Sequence, residues 1–182
     1  MITLRSLTAP VLCAALPIFA LPLAAQKSAW RQATDAELQS VLPSRAQVEN
    51  ERIETEMRTA SGIVNSRGQF FAGVVLLTAG YSADGKYSHY LIVQTPVRLG
   101  GVLLDPGSYV FGWTRAGAQD ALNVHFHVAA TGRLVGAARA RRIGGTSRVE
   151  SLHIWPPEQK AIVQIGRFGI PYEFLQENPQ EK

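Results

Sequence analysis

The chain has 182 residues, 46% of them hydrophobic and 18% charged, with a formal net charge of +4. That length holds one domain, with room for an accessory segment. A single cysteine, Cys13, rules out a framework of internal disulfides.

The first residues read as a secretory signal peptide over 1–25. Met1 to Arg5 carries one positive charge, Leu7 to Leu23 is almost wholly apolar, and small residues end the stretch before Gln26. Pro10, Pro17 and Pro22 interrupt the apolar run, and no charged stop-transfer flank follows Ala25, so cleavage is expected rather than anchoring, with no transmembrane segment afterwards. Cys13 leaves with the leader, and the residues before it lack the small side chains that precede a lipidated cysteine. A cysteine-free mature chain fits a periplasmic or secreted bacterial protein that relies on its core.

Residues 26–52 form a polar extension with a short helix. Thr34 and Glu37 match a capping box, Leu38, Val41 and Leu42 make an apolar stripe at helical spacing, and Pro43 stops the run. Ser44 could cap a second helix through Val48 and Ile53. Ile53, Thr55, Met57 and Thr59 also alternate, which favours a strand from about Ile53.

From there the sequence reads as strands separated by turns. Phe70 to Ala79 is apolar on both faces and suits a fully covered strand. Ala83-Asp84-Gly85 is expected to close a hairpin into Tyr87 to Gln94. Val97 to Leu104, a Leu104-Asp105-Pro106-Gly107 turn with positive φ at Gly107, and a strand through Trp113 form the expected organising hairpin. Tyr109, Phe111 and Trp113 alternate, so their rings share one face. Ala121 to Ala129 and Leu134 to Arg141 pair across a turn at Gly132. Val149 to Trp155 is expected to end at an edge before Pro156-Pro157. Ala161 to Phe168 is the last expected strand, Ile170 to Phe174 packs on the sheet, and 176–182 is a polar, disordered tail.

Eight or nine antiparallel strands at this spacing predict an all-β domain over 53–175. A single β-sandwich is the leading architecture and a lipocalin-like closed barrel the alternative. Two stretches, Leu103 to Phe111 and Thr78 to His89, resemble passages of uncharacterised exported bacterial β-sandwich proteins, a domain of unknown function. The resemblance implies a fold and an address, and no catalytic residue.

His125 and His127 flank Phe126, so in a strand both imidazoles lie on one face about 7 Å apart. The pair is similar to the start of a cupin metal motif, which continues with a glutamate. Here Val128 to Thr131 follow. A metal would need a third ligand from His89, His153 or a carboxylate. The other reading places both histidines on the solvent side, with Val124, Phe126 and Val128 inward. Ser88 and His89 are adjacent and should face opposite ways in a strand, which disfavours a self-activated serine. Tyr81, Tyr87 and Tyr90 around the Asp84-Gly85 turn, and Trp155 at a strand end, are candidate stacking residues for a ligand; alternatively their rings complete the core beneath the loops. Arg133, Arg139, Arg141, Arg142 and Arg148 concentrate positive charge, and without interleaved aromatics they read as a solvated face rather than a nucleic-acid site.

These observations point to an exported, non-catalytic binding or structural domain with a glycan, peptide or envelope partner and no cofactor. A small enzyme or metal carrier using the histidine pair, and a lipocalin-like small-molecule carrier, are the alternatives.

Overall fold

The computed structural model describes residues 29–117, 120–145 and 148–175. The expected signal peptide and the tail at 176–182 lie outside the described residues. No helix among the described residues is long and apolar enough to cross a membrane.

The helix starts where its cap dictates. Thr34 stands in extended conformation (φ −77°, ψ 161°) and its hydroxyl accepts from the Glu37 amide, while the Glu37 carboxylate accepts from the Thr34 amide. Two orphan amides of the first turn are thereby satisfied, and α1 runs Asp35–Val41. It presses Leu38 and Leu42 onto the sheet.

The rest is a curled antiparallel sheet that forms a half-barrel. It contains thirteen strands among the described residues, more than the expected eight or nine. Most of the excess lies in strands of three or four residues, too short to show a period. β1 (Trp30–Gln32) and β2 (Arg45–Val48) fall in the segment read as a helical extension, yet both pair with β3 (Glu51–Asn65). At the other end, Gly166 (φ 59°) turns the chain, so β12 (Ile162–Gly166) is followed by a further strand, β13 (Phe168–Phe174).

β3 pairs with β4 (Phe70–Leu76), and β4 with β5 (His89–Val93), across a connection longer than the tight Asp84-Gly85 hairpin expected there. A bulge in β3 between Glu56 and Ser61 interrupts the ladder. The Val75 amide donates instead to the Thr59 hydroxyl at 3.0 Å.

The organising hairpin is rearranged. β6 (Val97–Leu99) and β7 (Val102–Leu104) pair with each other across Gly100-Gly101, whose φ values of 58° and 93° suit a two-residue type I′ turn. β8 (Gly107–Arg115) pairs with β5 and with β9 (Ala121–Val128), never with β7. Asp105-Pro106 is therefore a crossover, and Gly107 lacks the positive φ a type II turn would give it. The proline has no amide to donate, so the chain leaves one ladder there and enters another.

β9 and β10 (Leu134–Arg142) form the expected pair, β10 meets β13, and β12 carries the edge strand β11 (Glu150–Ile154). The curl brings β11 back toward β3 and β5, where side chains replace a backbone ladder. The Ile154 amide donates to Ser61 Oγ at 2.9 Å, and the Ser151 carbonyl accepts from His89 Nε2 at 3.2 Å.

Around β4 both faces of the sheet are buried, as its two-sided apolar run requires. Inside the curl, Phe71 meets Tyr172 edge-on at 5.2 Å and Phe111 lies 5.5 Å from Phe126. On the outer face α1, β2 and residues 81–87 cover Ala72, Val74, Tyr90 and Val110. Tyr109, Phe111 and Trp113 share the inward face, but β8 outruns the core: Phe111 is 0% exposed and Trp113 43%.

Phe111→Ala should therefore lower stability by about 3–5 kcal/mol, read as a lower urea midpoint. Trp113→Ala, on the same face of the same strand, should cost less than about 1 kcal/mol.

Candidate functional site

Alternation along β9 sends Leu122, Val124 and Phe126 inward, at 1%, 0% and 0% exposure, and turns Asn123, His125 and His127 outward. Register then sets their neighbours. His125 stands between Gly112 of β8 and Ala137 of β10, and Asn123 between Thr114 and Arg139. Because glycine and alanine carry so little beyond the backbone, His125 has no large side chain beside it on either strand. Thr114, Asn123, Ala137, Arg139 and Arg141 are exposed, and His125 and His127 are half-buried.

One end of this face is walled. His127 Nδ1 lies 3.0 Å from the Gly132 carbonyl, which can only accept, so the proton of the neutral ring is assigned to Nδ1 and Nε2 keeps its lone pair. The Tyr87 ring meets the imidazole edge-on at 5.1 Å. Its hydroxyl donates to Glu49 Oε1 at 2.7 Å, and Lys86 Nζ donates to the same oxygen at 2.6 Å. These two hydrogen bonds hold the Glu49 carboxyl below its ordinary range. Glu49 itself is a non-glycine residue with φ of 51°, and its amide donates to the Ala129 carbonyl. The β2–β3 turn, the 77–88 connection and the β9–β10 turn thus meet at one carboxylate.

The aromatic candidates do not gather into one exposed cluster. Tyr87 and Tyr90 are only 2% and 6% exposed, and with Tyr81 they pack in the outer apolar cluster, completing the core beneath their loop. The Tyr81 hydroxyl donates to Glu54, and Ser82 Oγ donates to Glu51 at 2.6 Å. Trp155 stands elsewhere, beyond β11. Its indole donates to Gln164 Oε1 at 3.0 Å, Lys160 Nζ lies 3.9 Å above the ring, and His153 is 4.3 Å away.

No group of three histidines, cysteines, aspartates or glutamates that could hold a metal ion exists among the described residues. Neither of the expected third histidines joins the pair. His89 is buried inside the curl, and His153 packs against Trp155.

Ser88 and His89 overturn the expectation that they point apart. Ser88 precedes β5, so strand alternation does not govern it, and its hydroxyl lies 2.8 Å from His89 Nδ1. With Nε2 donating to the Ser151 carbonyl, Nδ1 is the acceptor for Ser88. The imidazole stacks on Phe111 at 4.7 Å and 3°, and burial pushes its pKa down to about 4. Such a ring is a weak base, poorly suited to take a proton from serine. It pins the seam between β5 and β11 instead.

Glu49 and Lys86 escape sequence reasoning, because the contacts of Glu49 with Lys86 and Tyr87 join residues 37 and 38 positions apart, at turns that show no pattern in common. No family model, curated protein or solved structure matches the chain, so function is argued from geometry.

His89 gives the fold a pH dependence. The unfolded chain takes up its proton near the ordinary value of 6.5 and the folded chain only near 4, so this contribution is full above pH 6.5 and is lost as pH falls through that window. The loss amounts to about 3 kcal/mol. His153, also pushed down by burial, acts in the same direction. His89→Gln should flatten most of the decline in unfolding free energy between pH 6.5 and 4.5; a curve as steep as that of the unaltered chain refutes the assignment.

Proposed function

We propose that the chain is an exported, non-catalytic binding domain that holds an acidic glycan of the cell envelope on the outer face of β8, β9 and β10. The observation that carries this reading is the unequal cover of the sheet. The outer face of β3, β4 and β5 lies beneath α1, β2 and residues 81–87, whereas Asn123 of β9 and Arg139 and Arg141 of β10 reach solvent, on a face that also exposes Leu134 and Ala137. Asn123 and His125 offer hydrogen bonds to sugar hydroxyls, and Arg139 and Arg141 offer planar forks that match a carboxylate or sulfate. The only other ring at this face, Tyr87, is 2% exposed and so cannot stack on a base, which favours a glycan over stacked bases.

The non-catalytic reading is supported by the weak basicity of His89, the partner of Ser88. A carrier that encloses its ligand has less support, since Phe71, Phe111 and Phe126 fill the interior at 0% exposure. Export rests on the composition of residues 1–25. A sandwich is our reading of the curl's finer geometry, with β4 facing β13 through Phe71 and Tyr172.

The test is titration of the protein with a uronic-acid oligosaccharide and with its neutral counterpart, following the imidazole signals of His125 and His127 by NMR. Only the acidic sugar should shift them, and Arg139→Glu with Arg141→Glu should weaken binding about tenfold or more through loss of charge-assisted contacts. Equal response to both sugars, or affinity unchanged in the double variant, refutes the reading.

A further inference from the structure

The two ends of the half-barrel differ. At one end the β6–β7 hairpin acts as a stopper, with Val97, Leu99 and Leu104 at 0% exposure and β6 paired to the end of β13. The opposite end is defined by the registers His89 to Phe111, Arg142 to Phe168 and Glu150 to Gly166. There the strands simply run out past the core.

Large apolar side chains stand exposed at that end. Trp113 is 43% exposed, Leu77, just past the end of β4, 47%, and Val149, just before β11, 55%. Arginines are interleaved with them. Arg115 follows Trp113 by two positions and so shares its face, and Arg148 precedes Val149 directly. Arg142 pairs with Asp120, and Arg148 with Glu150 at 3.5 Å. Arg115 has no ion-pair partner among the described residues.

We propose that this end of the half-barrel docks on an anionic lipid surface. Tryptophan favours the level between headgroup and acyl chain because its ring is apolar while its N–H needs a polar partner. Leucine and valine at the same rim enter the apolar side of that boundary, and Arg115 meets lipid phosphate. Arg115, whose charge no carboxylate offsets among the described residues, adds attraction through the negative surface potential, which fixes which end approaches. The site is separate from the outer face of β9 and β10: Trp113 and Arg115 share the inward face of β8, while Arg139 and Arg141 point outward.

The test reads Trp113 itself, so attachment through another part of the chain cannot imitate the result. The intact chain is mixed at low salt with vesicles of phosphatidylcholine, or of phosphatidylcholine with phosphatidylglycerol, carrying brominated acyl chains that quench nearby indoles. On the anionic vesicles the emission should shift to the blue and be quenched. The component lost in Trp113→Phe identifies the residue. Arg115→Glu should reduce the vesicle-dependent quenching at a given lipid concentration about tenfold, and neutral vesicles should give little. If the protein co-sediments with vesicles while Trp113 keeps its emission, or if no anionic vesicle binds at all, the proposal is overturned. Equal quenching on neutral vesicles, or in Arg115→Glu, also overturns it.

Discussion

A strand apolar on both faces must be covered twice, and in this chain β4 imposes that demand. Phe71 points to one side and Ala72 and Val74 to the other, all at 0% exposure. A flat sheet could bury one of those faces against a helix but not both with a single seven-residue helix. The sheet meets the inner demand by curling on itself and the outer one by folding α1, β2 and the 81–87 segment back over it.

Curling creates a seam, and the chemistry of the seam explains two polar residues that would otherwise look misplaced. An edge strand facing the interior carries amides and carbonyls that need partners. Ser61, exposed by only 4%, accepts from the Ile154 amide, and His89, also at 4%, donates to the Ser151 carbonyl. Each replaces a backbone partner that the incomplete barrel does not supply. The Ser151 bond would survive protonation, but Nδ1 accepts from Ser88 only in the neutral ring, and burial disfavours the charge and depresses the pKa. A residue pair that resembles the beginning of a catalytic arrangement is better understood as closure of the fold.

The same constraint decides where function can sit. Cover on the outer face gives out past Tyr87, which meets His127 of β9, so Asn123 of β9 and Arg139 and Arg141 of β10 reach solvent and carry no burial penalty. At the end opposite the β6–β7 stopper, the strands outlast the core and leave Trp113 43% exposed. One surface is polar and hydrogen-bonding, the other is apolar with arginines, and the two are separated by the alternation of the strands themselves.

Local chemistry was legible in the sequence. The Thr34 and Glu37 box starts α1, period two along β9 sorts Phe126 inward and His125 with His127 outward, and the β9–β10 pair follows from its turn. These features are encoded within a few residues. The partner of each strand was not legible. Val97 to Leu104 reads as one apolar run, yet it is two strands, because pairing β7 with β6 buries Val97, Leu99 and Leu104 while β8 is already committed to β5 and β9. Likewise Glu49 meets Lys86 and Tyr87, and Ser61 meets Ile154, across 37, 38 and 93 positions. The sequence by itself determined α1, the longer strands and the face each residue takes within a strand such as β9, since these depend on backbone geometry between neighbours. Tertiary structure alone decided the pairings, the seam and the uncovered surfaces, because these depend on how the whole chain buries two apolar faces at once.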